Sequence, residues 1–131
     1  MTFTKQEKEA FRKAGSLYKE GRISEALPIL EELVEKRPRS AVLLATLANT
    51  YWDLAMLDKA EEYFEMSIKY GPSSEKISLG YFHLLWERGK KEEAVSEIQR
   101  FQEYAVLSED YLEIATEINQ KTDFKIEIGN Q

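Results

Sequence analysis

The sequence predicts an all-α protein, an αα-superhelix (a solenoid) of three helical hairpins followed by a terminal helix. The first observation is a period of about 34 residues, at which Ala26, Ala60 and Ala94 recur. A fixed period of this size indicates a stacked array of identical units, each burying its apolar face against its neighbours. The second observation is that residues able to cap helices alternate with stop residues such as Pro38 and Pro72, as expected for short helices joined by tight turns.

The first hairpin has clear helix boundaries in the sequence. Thr4 and Glu7 can form a capping box, in which each side chain bonds the backbone N–H of the other residue. Gly21 can end this helix, because glycine readily adopts the left-handed conformation of a helix C-terminus. We expect Ser24 to cap the second helix, and Pro38 to end it.

The next two hairpins follow the same plan. Ser40 and Ser74 can each cap the first helix of a hairpin, and Asp58 can cap the second helix of the middle hairpin. The sixth helix is predicted from about Lys91 to Val106. These boundaries predict six helices in three hairpins.

The C-terminal part of the chain contains a terminal helix, predicted over 109–120, and a tail, residues 122–131. In the tail Phe124, Ile126 and Ile128 alternate with charged residues, which is the period of an extended segment. The tail could fold back on the terminal helix, enter the groove of its own chain or pair with another chain. We expect it to dock on its own chain or on a second copy, because three large apolar residues in ten are many for a disordered end.

The repeats resemble the tetratricopeptide repeat family, whose unit of about 34 residues folds as two antiparallel helices. The helical repeat domain is expected over 1–121, with repeats at about 7–40, 41–74 and 75–108. The middle repeat shows the resemblance most fully, on Leu44, Leu47, Ala48, Tyr51, Ala60, Phe64 and Pro72. The third repeat departs at Phe82, where the family has a small residue, and at Val106, where it has proline.

Composition and motifs exclude several functions. A net charge of −6 disfavours nucleic acid, whose phosphates an acidic chain repels. The longest apolar run, Ala41 to Ala45, is far short of the roughly 20 residues that span a bilayer. With no cysteine, no signal-like N-terminus, no catalytic triad and no phosphate loop, we expect a cytoplasmic protein that is not an enzyme and has no cofactor, metal site or membrane contact.

The resemblance implies that the first helix of each hairpin lines a concave face that binds peptides. Tyr18, Trp52 and Trp86 recur with the period of the repeat and predict an aromatic row on that face. The alternative is that these rings only fill the groove or pack on the terminal helix and tail. The predicted partner-binding residues are Phe11, Tyr18, Asn49, Trp52, Lys76, Leu79, His83 and Trp86.

Some family members hold the C-terminal carboxylate of a heat-shock chaperone in a clamp of lysines and asparagines. The matching places here are Phe11, Gly15, Thr46, Lys76 and Gly80, and only Lys76 agrees. Anion capture needs several convergent donors, so this ligand is not predicted.

Three functions remain. The first is a non-catalytic adaptor that binds a peptide or an amphipathic helix of a protein partner in the aromatic groove. The second is a small holding chaperone of the bacterial type, for a secreted or unstable client. The third is a structural module that assembles with another copy of itself. The sequence names neither the partner nor the pathway.

Overall fold

The structure, a computed structural model, describes residues 2–129, and this part of the chain forms seven helices and no strand. The chain divides into two compact units, unit 1 (Met1–Tyr70) and unit 2 (Gly71–Gln131). The all-α prediction is confirmed. The helices of unit 1 are α1 (Lys5–Lys19), α2 (Ile23–Lys36), α3 (Ala41–Asp53) and α4 (Leu57–Tyr70), and those of unit 2 are α5 (Glu75–Glu87), α6 (Lys91–Phe101) and α7 (Glu109–Lys121).

Most predicted caps are present, but the starts of α2 and α4 differ. Asp58 does not cap α4, because that helix already begins at Leu57 and Asp58 lies in its first turn. Thr4 and Glu7 form the capping box of α1, and Ser40 accepts a hydrogen bond from the backbone N–H of Leu43 at the start of α3. Ser24 does not cap α2, so this expectation was wrong. The helix begins at Ile23, two residues earlier than a Ser24 cap predicts, because the carbonyl of Arg22 already accepts hydrogen bonds from the N–H groups of Glu25 and Ala26 in the first turn.

Each hairpin turn contains a residue with positive φ, at the same place in the repeat. Gly21 has φ 76°, Ala55 has φ 60° and Gly89 has φ 78°. Glycine adopts this conformation without steric cost, whereas the Cβ of alanine is crowded by the backbone there. The middle hairpin therefore contains a strained turn that the outer hairpins avoid.

We expect Ala55→Gly to raise the free energy of unfolding by about 1 kcal/mol, because it removes the left-handed strain. The matched control is Gly21→Ala, which introduces that strain where no side chain lies within 4 Å of the new Cβ. Chemical denaturation of the two variants should give shifts of opposite sign. A loss of stability in Ala55→Gly would show that the alanine methyl makes contacts worth more than the strain.

Small residues allow the helices of unit 1 to pack closely. Ala26 and Ala60 share one place in the repeat, and Ala14 and Ala48 share another. Ala26, Ala48 and Ala60 are fully buried, and Ala14 is 2% exposed. Large apolar residues from the same helices complete this core, and the largest that are fully buried are Leu30, Leu43, Leu44, Leu47, Tyr51 and Phe64.

A buried ion pair joins the start of α1 to the end of α2. The Arg37 guanidinium donates two hydrogen bonds to the Glu7 carboxylate, at 3.0 and 2.8 Å. The bonds from Arg37, aided by the backbone N–H of Thr4, lower the pKa of Glu7 to about 2. The pair thus fixes the first hairpin at its open end.

The ion pair between Glu7 and Arg37 should make the stability of the fold depend on pH. Its pKa in the folded state lies below the ordinary value of 4.5, so the pair stabilises the fold fully above that value and loses its effect as pH falls towards 2. We expect the melting-temperature difference between wild type and Glu7→Gln to be constant above about pH 5.5, one unit above that value, and to shrink between pH 4.5 and 2. A difference independent of pH would contradict this role.

Unit 2 is built around a cluster of rings. Phe82 is 3% exposed; its ring is stacked on Trp86, with centroids 5.7 Å apart, and meets Tyr111 edge-on at 6.2 Å. The family departure at Phe82 is accommodated because these rings of α5 and α7 surround it.

The predicted end of α6 was wrong by several residues. The helix ends at Phe101, and the chain then turns to bury Leu107 while Val106 stays exposed.

A polar network lies inside the core of unit 2. Glu97 accepts hydrogen bonds from Ser78 at 2.6 Å and from Arg100 at 2.8 and 2.7 Å. The Ser78 hydroxyl also bonds the Tyr111 hydroxyl at 2.9 Å, and burial of that phenol raises its pKa. Arg100 in turn donates to the backbone carbonyl of Pro72 at 2.9 Å. Within residues 2–129, no buried side-chain nitrogen or oxygen lacks a hydrogen-bond partner.

Candidate functional surfaces

In unit 1 the ends of α1 and α3 place two aromatic residues beside one carboxylate. The Tyr18 hydroxyl donates a hydrogen bond to the Asp53 carboxylate. Partial burial and this bond raise the pKa of Tyr18 to about 12, so the phenol keeps its proton at neutral pH. The neighbouring Trp52 is half-buried and meets the Phe64 ring edge-on, with centroids 6.4 Å apart. Both rings are held by the fold while part of each side chain remains accessible.

Phe11 and Asn49 are the other predicted binding residues of unit 1. Phe11 is half-buried on α1. Asn49 is exposed on α3, one turn before Trp52, and its amide donates to the carbonyl of Ala45 at 3.1 Å. We call Phe11, Tyr18, Asn49 and Trp52 the α1–α3 surface.

The predicted residues of unit 2 lie along α5. Lys76 and His83 are exposed, and Leu79 is half-buried against the core cluster. The His83 ring lies 5.2 Å from the Phe82 ring, edge-on. Among residues 2–129, no three His, Asp or Glu side chains are grouped so that they could hold a metal ion.

Trp86, the fourth predicted residue of α5, is half-buried against its own chain. It stacks on Phe82, the Lys91 ammonium lies 5.1 Å from its ring centre, and Phe124 of the tail lies 6.5 Å away. For this ring, packing on the tail is what the structure shows. Trp52 of the α1–α3 surface is half-buried as well, against the Phe64 ring of α4.

The tail docks on unit 2 as an extended segment, as far as residue 129. Ile126 is buried in the core cluster, and Phe124 and Ile128 are half-buried against it. The preference for docking over disorder is confirmed for this part, whereas residues 130 and 131 lie outside the described residues.

Three side-chain amides hold the backbone of the tail. Asn119 of α7 donates to the Ile126 carbonyl at 2.9 Å and accepts from its N–H at 2.6 Å. Gln99 of α6 makes the same pair of bonds with Glu127, at 3.1 and 2.6 Å. Gln102 donates to the Glu127 carbonyl at 2.8 Å and accepts from the N–H of Gly129 at 2.7 Å. We call this face, Gln99, Gln102 and Asn119, the carboxamide face.

Sequence reasoning did not identify the carboxamide face. Glutamine and asparagine on a helix are ordinary solvent-facing residues, and nothing in their spacing indicates a partner. The alternation of the tail signalled that it needs a docking surface, but not which one. In the described residues, no helix is long and apolar enough to cross a membrane.

Comparison with known proteins agrees with this architecture. Residues 17–75 match the tetratricopeptide repeat family model. No curated protein matches the chain. Solved structures do match, at low sequence identities that indicate a shared fold.

Three of these structures are representative. The first tetratricopeptide domain of Spaghetti (RPAP3), solved with an HSP90 peptide, is 19% identical with a TM-score of 0.75, over 91% of this chain and 97% of that one. The secretion chaperone SycD of Yersinia enterocolitica, with a peptide of the translocator YopD, is 14% identical with a TM-score of 0.74, over 90% of each chain. MamA of Desulfovibrio magneticus RS-1 is 22% identical with a TM-score of 0.67, over 72% of this chain.

The chain spans only about half of the MamA structure, 54% of its length. It spans nearly all of the other two, so the arrangement of helices is shared over most of the present sequence. The period of the repeat, the seven helices of the described residues and the family match over 17–75 all agree. The resemblance to the tetratricopeptide repeat family is confirmed by the family match over residues 17–75 and by the helical fold shared with the solved structures.

Proposed function

We propose that the protein is a non-catalytic interaction module that binds a peptide or an amphipathic helix of a protein partner on its α1–α3 surface. The observation that carries the proposal is the pairing of Tyr18 with Asp53 beside the half-buried Trp52. Aromatic rings offer large apolar area with few rotatable bonds, and they are enriched where interfaces gain most of their binding energy. Because the fold already holds both rings, little conformational entropy is lost when a partner binds.

The chemistry of the surface suggests the kind of partner. Trp52 supplies apolar area, Asn49 supplies an exposed amide, and Asp53 supplies a carboxylate beside them. A peptide with an apolar anchor next to a donor or basic group would complement this set. On α5 of unit 2 we propose that Lys76, Leu79 and His83 also contribute to partner binding, with Trp86 contributing less because its ring packs near Phe124 of the tail.

The solved relatives support a peptide ligand. Spaghetti (RPAP3) is bound to an HSP90 peptide and SycD to a peptide of YopD. The residues of the chaperone-tail clamp are absent here except for Lys76, so the proposed ligand is not an acidic C-terminal tail of that kind.

A holding chaperone for an unstable client is the second candidate. The observation that favours it is the likeness to SycD over 90% of both chains. The two candidates differ in the behaviour of the partner. A client expressed alone should aggregate and scatter light, and it should stay in solution when this protein is added, whereas the partner of an adaptor is stable by itself.

The proposal is tested by affinity capture from native lysate followed by titration of the captured protein. We expect Trp52→Ala and Asn49→Arg each to weaken binding, Trp52→Ala by about 2 kcal/mol or more, which is at least about 25-fold. The matched control is Glu35→Arg, a change of exposed charge on α2, which should bind like wild type. Circular dichroism must show that all three variants are folded. Wild-type affinity in both α1–α3 variants would reject the surface.

A further inference from the structure

The carboxamide face recognises backbone and not side chains. Its three amides form six hydrogen bonds, all with main-chain groups of Ile126, Glu127 and Gly129. A side-chain amide presents a donor and an acceptor side by side, as a neighbouring β-strand does. The face therefore replaces the partner strand that an isolated extended segment needs.

Specificity comes from the apolar residues of the bound segment. Phe124, Ile126 and Ile128 alternate along the tail and contact the core cluster of unit 2, with Phe124 near Trp86. The intervening Lys125 and Glu127 are exposed. An open cleft of about 680 Å³ runs between α6 and the tail. The tail is therefore not packed along its whole length, and the amide hydrogen bonds and the apolar contacts hold it in place.

The connection between α7 and the docked segment is short and peripheral. Thr122 is half-buried and Asp123 is exposed, and neither belongs to the core cluster. The bonds at this connection are local: the Thr122 hydroxyl donates to the Ile118 carbonyl and accepts from the N–H of Phe124. Opening it would break these local bonds without disturbing the core cluster beyond the tail itself.

We propose that the carboxamide face also binds the tail of a second copy of this chain, so that two copies associate by exchanging tails. A second copy carries the same alternating segment, and none of the docking contacts depends on which chain supplies it. Exchange of an identical element between protomers is a low-cost route to a dimer. The inference is independent of the α1–α3 surface.

The tethered tail competes with a tail supplied by another copy. A segment joined by a short flexible linker has an effective concentration of roughly millimolar, so the chain's own tail wins in dilute solution. Exchange of tails can be detected when one copy has a tail that cannot dock and the other copy has a carboxamide face that cannot bind a tail.

The test is complementation between two full-length variants. The first, Ile126→Asp, places a charge at the buried tail residue and leaves its face vacant. The second combines Gln99→Glu, Gln102→Glu and Asn119→Asp, which replaces the donors to the tail carbonyls by isosteric acceptors and frees an intact tail. Each variant alone should be a monomer of about 15.3 kDa, and the mixture should give a heterodimer of twice that mass by light scattering.

The controls keep the outcome decisive. Adding Ile126→Asp to the triple variant should abolish the heterodimer. If Ile126→Asp alone unfolds, the double variant Phe124→Ser, Ile128→Ser takes its place, because both residues are only half-buried. Folded variants that remain monomeric when mixed at up to about 1 mM, the effective concentration of a tethered tail, would overturn the proposal. So would binding of a free peptide of residues 123–131 without heterodimer formation, because the face would then accept segments but not from a second copy.

Discussion

Phe82→Ala should lower the free energy of unfolding by about 3–5 kcal/mol, the usual cost of removing a fully buried phenylalanine ring. The ring is 3% exposed and contacts Trp86 and Tyr111. The prediction runs against the family pattern, which has a small residue at this position. By that pattern alone, alanine should be neutral or stabilising.

Chemical denaturation distinguishes the two expectations. The matched control is Tyr104→Ala, which removes a ring that is 52% exposed in the same unit and contacts the Arg100 guanidinium at 5.4 Å, and it should change stability by about 1 kcal/mol or less. If Phe82→Ala changed stability no more than this control does, α5 would pack as in the standard repeat, and the ring cluster of unit 2 would not hold the fold together.

Arg100→Met should lower the free energy of unfolding by about 3 kcal/mol, because removing one partner of a buried ion pair leaves the other charge buried. It leaves the Glu97 carboxylate, whose side chain is 4% exposed, with Ser78 as its remaining hydrogen-bond donor in this network. The hydrogen bond to the Pro72 carbonyl is lost as well. Chemical denaturation of the variant against wild type measures the loss.

The double variant Arg100→Met, Glu97→Leu tests the cause. With both charges removed, most of the lost stability should return, because no uncompensated carboxylate remains. A double variant as unstable as Arg100→Met alone would show that the loss comes from the packing of the arginine stem and its bond to Pro72.

The repeat made most of the fold predictable. The regular spacing placed Ala26, Ala60 and Ala94 at helix crossings, and all three are fully buried. Serine before a helical pattern correctly indicated the starts of α3 and α5, because its side chain satisfies an N–H group of the first turn. These features are local or periodic, so they can be read without knowing tertiary contacts.

Features that depend on tertiary contacts could not be predicted. Ser24 has the right chemistry for a cap, but the geometry of the preceding turn starts α2 at Ile23. The family pattern gave no indication that Phe82 would be surrounded by rings, because Tyr111 lies two helices further along the chain, on α7. Trp86 fitted the aromatic row by period, yet contacts the tail.

Two residues of the predicted aromatic row, Tyr18 and Trp52, lie on the α1–α3 surface. Tyr18 and Trp52 were predicted by period alone, and the bond between Tyr18 and Asp53 now gives a physical reason for the orientation of the Tyr18 ring.

Site-specific photocrosslinking tests the central claim most directly. A benzophenone side chain placed at Asn49, on the α1–α3 surface, should crosslink one defined protein in native lysate, and adding Trp52→Ala should abolish that product. The same group at Glu35, an exposed position on α2, should give no defined product. A discrete adduct from position 35 with none from position 49, or an adduct at 49 that persists in folded Trp52→Ala, would contradict the account.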